Sequence, residues 1–131
     1  MTGRVEWTLM LWVGAGGFIG SSLRFLLSGW VQRLVNFGTF PWGTLAVNGL
    51  GCLALGVLGG LAESRQMFGP AQRAFMFMGV LGGFTTFSTF AHETLGLAQD
   101  SGLRALTNAA LQLGLGLAAA AGGYALTRFL P

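Results

Sequence analysis

The stretch Gly79–Glu93, GVLGGFTTFSTFAHE, governs how the rest of the chain is read. Three glycines, Gly79, Gly82 and Gly83, precede a run in which Thr85, Thr86, Ser88 and Thr89 are interleaved with Phe87 and Phe90. Glycine and β-branched threonine are poor helix formers, so a helix entering this stretch is predicted to break. The flanks are apolar enough to sit in a membrane. Backbone groups left unpaired at membrane depth are tolerated only inside protein or beside a watery path. Discontinuous helices of this kind are where transport proteins hold ions. The stretch is therefore read as the ion-handling centre of a small membrane protein.

Composition supports that reading. Of 131 residues, 53% are hydrophobic and 8% are charged, against roughly 25% charged in an ordinary soluble domain. Such a chain cannot cover a water-facing surface with charge, which places it in the membrane class. Four apolar segments follow, at about 7–33, 40–62, 72–98 and 104–128. Each has the length a helix needs to cross a bilayer, so the expected fold is all-α, one four-helix transmembrane domain over residues 1–131. Asn36, Gly38 and Pro41 supply turn chemistry before the second span, and Gly69 and Pro70 before the third. Among 23 glycines, Gly16 and Gly20 form a small-xxx-small pair suited to close helix approach. Trp7, Trp12, Trp30 and Trp42 fall near the ends of the first two spans, the place of interfacial aromatics. Arg4 before an apolar run imitates a signal peptide, but the remainder is equally hydrophobic and a first span is the better reading.

All basic residues are arginine, and a net charge of +3 spread along the chain gives no support to nucleic-acid binding. Four spans put Arg4, Arg65, Arg73 and Arg128 on one side of the membrane. Arg33 and Arg104 lie on the other, with Arg24 within reach of it. Loop arginines set orientation, and an imbalance of about one is a weak instruction. The chain is expected to insert both ways and to pair with an inverted copy.

The polar residues inside the spans are the candidate site. Asn48 lies mid-way along the second span, with Thr44 one turn before it on the same face. A primary amide in hydrocarbon must be hydrogen-bonded, either as glue between helices or as a donor facing an anion path. Phe87 and Phe90 share a helical face; such a pair is commonly core packing, yet the positive ring edges can solvate an anion weakly without trapping it. Hydroxyls at Thr86, Ser88 and Thr89 frame the rings and suit an anion that must shed water and keep moving. Arg24 interrupts the first span and either snorkels to the interface or makes the local potential attractive to anions. Glu93 follows the broken stretch, where it pairs with an arginine at the helix end or helps to gate and hydrate the path. Thr107, Asn108 and Gln112 extend a polar stripe along the fourth span or join helices. Cys52, the single cysteine, reads as a small packed hydrophobe. His92 and Glu93 lack the second histidine of a zinc-protease motif, and no nucleophile–base pair or phosphate loop is present, so no enzyme is expected.

Three segments carry a family resemblance: GAGGFIGSSLR at 14–24, PWGTLAVNGLG at 41–51 and GGFTTFSTFAHET at 82–94. Through them the chain resembles the CrcB/Fluc fluoride channels of bacteria and archaea along essentially its whole length. The resemblance implies an antiparallel, dual-topology homodimer with two separate fluoride pores in the inner membrane of a prokaryote. It implies Asn48, Phe87 and Phe90 as pore residues, Arg24 at the vestibule, and Ser88, Thr89 and Glu93 on a polar track. It also implies a structural sodium ion at the dimer centre, held by backbone carbonyls of Gly82 and Thr85 from each subunit. Fluoride, a second copy of the chain and membrane lipid would be its partners, and transport would be passive. Hydrogen fluoride crosses membranes neutral and ionises inside, and the anion leaves down its electrochemical gradient. One departure stands out. Where some relatives continue the polar track with serines on the fourth span, residues 113–117 here are leucine and glycine only, leaving Gln112 as the substitute.

Two other readings compete. A small multidrug exporter also has four short helices and dual topology, but it needs a membrane-embedded carboxylate in the first span, and none follows Glu6 there. A non-conducting partner subunit of a heterodimeric channel would pair its polar groups fully and leave no water path.

Overall fold

The computed structural model describes residues 2–36 and 38–129, with side chains from Glu6 onward. The side chain of Arg4, counted above for orientation, lies outside them. The described chain is helical throughout apart from its connections: α1 (Thr2–Val35), α2 (Trp42–Arg65), α3 (residues 70–84), α4 (Phe87–Asp100) and α5 (Gly102–Leu126). Four stretches are long and apolar enough to cross a membrane: Glu6–Val35, Trp42–Arg65, Pro70–Asp100 and Gly102–Leu126. They match the four expected segments to within a few residues at each end, and the third is composed of α3 and α4 together.

Local chemistry sets the ends of these helices. Asn36 (φ 37°), Gly38 (φ 65°) and Gln66 (φ 49°) adopt left-handed conformations that turn the chain after α1 and α2. Gln32 braces the first turn: its Nε2 donates to the Phe40 carbonyl at 3.0 Å and its Oε1 accepts the Gly43 N–H at 3.0 Å. Pro70 starts α3 at a position where its missing N–H costs nothing, and the Gln72 side chain accepts the Gly69 N–H at 2.9 Å. A single extended residue, Ser101 (φ −159°, ψ 114°), ends α4 and caps α5 by accepting the Arg104 N–H at 3.4 Å.

α1 packs along α3, and α2 packs along α5. Both seams depend on missing side chains. A Cβ at Gly20 would sit on the Val80 carbonyl oxygen, and one at Gly16 on that of Phe75; Gly83 faces the Gly17 carbonyl. On the other seam Gly56 faces the Ala120 carbonyl and Gly123 that of Leu53. Small residues at such crossings let backbones meet and gain dispersion contact. Few side chains are fully enclosed; Val47 and Asn108 are, while Phe18, Phe25 and Leu117 are more than two-thirds exposed. An apolar exterior of this extent belongs against lipid or another chain.

The third segment breaks inside the stretch where glycine and threonine predicted it, but it differs from expectation in two details. Its glycines do not break the helix: Gly82 is helical (φ −63°, ψ −36°), and Gly79 and Gly83 lie against α1. Their role is close approach. The interruption falls two residues later, at Thr85 (φ −88°, ψ 156°) and Thr86 (φ −150°, ψ 114°), both extended. β-Branched threonine prefers that conformation. Ahead of the break, Ala74–Leu81 forms two turns of π-helix. Periodicity could not anticipate it, because an apolar run reads alike for pairing four or five residues back. π-Helix is rare and appears mostly as single-turn bulges, frequently at functional sites; this run of eight residues is longer than such a bulge.

Candidate functional site

The break is held open by side chains from three helices. Asn48, on α2, reads the backbone of Thr86 as a neighbouring strand would. Its Oδ1 accepts the Thr86 N–H at 2.8 Å, and its Nδ2 donates to the Thr86 carbonyl at 3.1 Å. The second Nδ2 hydrogen goes to Gln112 Oε1, on α5, at 3.0 Å. An amide nitrogen has two hydrogens to give, so both Asn48 donors are spent. Asn48 thus joins helices, and it does so at the break itself.

Thr86 is the hinge of the site. Its buried side chain caps α4, with Oγ1 accepting the Thr89 N–H at 3.2 Å and donating to Thr89 Oγ1 at 3.0 Å. Ser88 Oγ lies 3.4 Å from the same oxygen. This cap lets α4 restart at once after the break. On the α3 side, Thr85 Oγ1 and the Thr85 N–H both bond to the Leu81 carbonyl, at 2.9 and 3.0 Å. Arg24 Nη1 donates to the Thr85 carbonyl at 3.3 Å. A cation here also meets the negative end of the α3 dipole, so Arg24 is tied to the break.

The Gly82 carbonyl is released by the same event. In a continuous helix its partner would be the Thr86 N–H, which Asn48 has taken. Gly82 and Thr85 thus present two backbone oxygens at the end of α3, the donor type that hard cations take. The Thr85 oxygen is shared with a guanidinium. Among the described residues no three His, Cys, Asp or Glu side chains converge as a metal cluster.

Phe87 and Phe90 come together at the start of α4, with ring centroids 5.4 Å apart and planes at 64°, an edge-to-face arrangement. Phe87 is 77% exposed, and Ser88 and Thr89 are also exposed. Both rings line a cavity of about 320 Å³ together with Asn48, Cys52, Thr85, Thr86 and Gln112. Cys52 is therefore not simply packed away; it faces the same space one turn after Asn48.

A second, more polar cavity of about 330 Å³ includes Ser28, Gln32, Thr39, Thr44 and Glu93. Thr44 Oγ1 donates to Glu93 Oε1 at 2.8 Å, and Glu93 Oε2 is buried without a partner. Among the described residues the partner of Glu93 is thus a hydroxyl across the helices, where an arginine was one expectation. Thr44 and Asn48 are successive turns of α2, so the two cavities follow one another along that helix. On α5 the expected stripe divides. Asn108 and Gln112 are buried, whereas Thr107 is exposed and bonds its own helix at the Leu103 carbonyl, 2.8 Å away. Asn108 Nδ2 donates to Thr94 Oγ1 at 2.9 Å, joining α5 to α4. Sequence reasoning passed over Thr94, although its place one turn after Phe90 was a signal. His92 is exposed and lines neither cavity.

Residues 11–124 match the family model described as CrcB-like protein, Camphor Resistance (CrcB). The chain is 40% identical over 123 residues to a fluoride-specific ion channel FluC of Clostridium novyi, covering 93% of this chain and 95% of that one. It is 50% identical over 107 residues to a protein of the same name from Sulfurovum sp., covering 80% and 82%. A third, from Maridesulfovibrio salexigens, is 44% identical over 125 residues, covering 92% and 95%. With a family model matched over residues 11–124 and relatives 40–50% identical over most of their length, the chain belongs to the CrcB-like family.

Proposed function

We propose that this protein is a fluoride-selective channel that lets cytoplasmic fluoride leave passively down its electrochemical gradient. The observation that carries the reading is the cavity beside the break, where two phenylalanine edges and an amide-lined wall meet in a chain whose relatives are named fluoride-specific channels. Ring edges attract an anion weakly, and weak sites in series allow an ion to enter and to leave. No covalent step is required of any residue, so the protein is not an enzyme.

In this proposal the break lies at mid-membrane, and the anion path runs past Phe87 and Phe90 with Thr86, Ser88 and Thr89 beside it. The polar cavity around Thr44 and Glu93 forms a water-filled approach, and Arg24 keeps the local potential positive. The working unit is an antiparallel dual-topology homodimer in the inner membrane of a prokaryote. That arrangement is supported by the near-balanced arginines and by the exposed Phe87, Ser88 and Thr89, which a second copy would cover. Two copies would bring four carbonyls, from Gly82 and Thr85 of each, to a shared sodium ion. Bound there, the cation would supply charge that holds the two broken helices together. Reporter fusions at the C-terminus are expected to give both orientations; one strong orientation would count against the dual topology.

Purified protein in liposomes loaded with fluoride is expected to release it once the membrane potential is clamped by a potassium ionophore, with a fluoride electrode as the readout. Absence of efflux would reject the proposal. Phe90→Ile tests the ring edge while keeping an apolar side chain. An aromatic interaction of this kind is worth ~0.5–1.5 kcal/mol, so efflux is expected to fall by up to about tenfold with the melting temperature little changed.

A further inference from the structure

Away from the ends of the four spans, four described residues carry or can take a charge: Arg24, Cys52, His92 and Glu93. Arg24 donates to the Thr85 carbonyl, and a guanidinium stays charged at every working pH. A free thiol charges only at alkaline pH. Glu93 stands against the polar cavity, with one oxygen accepting from Thr44 and the other buried without a partner. A carboxylate beside an anion approach repels the ion. His92, the residue before it, is exposed and close enough for its charge to act on that carboxylate. It follows Ser88 by four residues and Thr89 by three, so the three share one face of α4. All three are exposed. A polar stripe inside a membrane span turns toward water or another chain, not toward lipid.

We infer that His92 is a charge-switched residue on the wall of the anion path, and that its protonation speeds fluoride exit. This role rests on the channel reading above, with a second copy closing the path over the exposed face of α4. Imidazole is the side chain whose ordinary titration falls between about pH 5 and 8. As the imidazolium it offsets the Glu93 charge and adds attraction one turn from Ser88. As the neutral ring it leaves the carboxylate uncompensated. Conduction therefore rises as pH falls. The elements packed against α4, namely α5 and α2, offer few rivals for such a switch. Between Arg104 and Tyr124, α5 has no titratable residue, and between Trp42 and Glu63, α2 has Cys52 alone. On α4 itself Asp100 lies two turns beyond His92, at the helix end. Acid is also the condition in which neutral hydrogen fluoride enters fastest, so exit is promoted when the load is greatest.

The test is fluoride current through the purified wild-type protein in planar bilayers, at one voltage and one sub-saturating fluoride concentration, between about pH 8 and about pH 5.5. Hydrogen fluoride carries no current, so its leak does not enter the reading. A unit charge about 6 Å from an anion, even screened as in bulk water, alters the occupancy of the anion about threefold. The wild-type current is therefore expected to rise at least about threefold on acidification. His92→Gln keeps polarity and removes the titration, and its current is expected to stay at the alkaline wild-type level throughout. His92→Lys keeps a positive charge, and its current is expected to stay high at both ends of the range. A flat wild-type profile would overturn the assignment. An equal rise in His92→Gln would overturn it as well, by putting the switch on Glu93 or Asp100. A wild-type protein that passes no fluoride current at any pH would reject the channel reading itself, which is a different outcome from a conducting channel indifferent to pH.

Discussion

Asn48→Leu is expected to yield a protein that neither conducts nor holds its broken span. The substitution strips partners from the Thr86 N–H, the Thr86 carbonyl and Gln112 Oε1 at one stroke. Each buried polar group left unpaired costs ~1–3 kcal/mol, so the combined loss of three is roughly 3–9 kcal/mol, comparable with the whole stability of many small domains. The shape of leucine is similar to that of asparagine; the loss is of hydrogen bonds, not of volume. Thermal unfolding in detergent, followed by circular dichroism, measures the first effect, and liposome efflux the second. Asn48→Asp sharpens the test. It can still accept the Thr86 N–H, but it sets a carboxylate against the Thr86 carbonyl and Gln112 Oε1, two oxygens that need a donor. A variant of either kind that melts and conducts like the wild type would remove Asn48 from its place at the break.

Gly20→Val is expected to have the second largest effect, for a steric reason. The first added carbon would lie on the Val80 carbonyl oxygen. Backbone cannot yield as a side chain can, so α1 and α3 must part. Overpacking of this kind costs ~1–3 kcal/mol and at times more. The consequence extends to the site, because Arg24 follows Gly20 by one turn and its guanidinium bonds the Thr85 carbonyl at 3.3 Å. Moving α1 outward draws that group off the break. The expected outcome is a lowered melting temperature together with reduced fluoride efflux. Gly14→Ala, on the same helix, is the control: nothing lies within 4 Å of a Cβ there, and alanine improves helix propensity. Equal melting temperatures for Gly20→Val and Gly14→Ala would disprove the seam as described.

Much of the architecture could be read before any coordinates. Four spans, their approximate limits and the presence of an interruption near Thr85 followed from hydrophobicity, length and turn chemistry, because these are local quantities. The cause of the interruption was not local. Gly79, Gly82 and Gly83 read as helix breakers from propensity alone, yet they remain helical because α1 packs against Gly79 and Gly83 and rewards a helix without side chains. The chain opens instead at two threonines whose backbone finds substitute partners on α1 and α2.

The candidate site divides along the same line. Its residue types were legible: an amide in an apolar span, paired phenylalanines, interleaved hydroxyls and an arginine where arginine is expensive. Who bonds to whom was not. Glu93 could as well have met an arginine as Thr44, and Thr107 could as well have joined the stripe of Asn108 and Gln112 as faced outward. Helical spacing fixes which residues share a face, but not which neighbour that face meets. The sequence by itself determined that this is a four-span membrane protein of the CrcB-like kind, because apolar length sets the spans and a dense motif carries the family resemblance. Only the tertiary structure decided that Asn48 spends its hydrogens on Thr86 and Gln112, since hydrogen-bond partners 38 and 64 residues apart are chosen by packing and not by pattern.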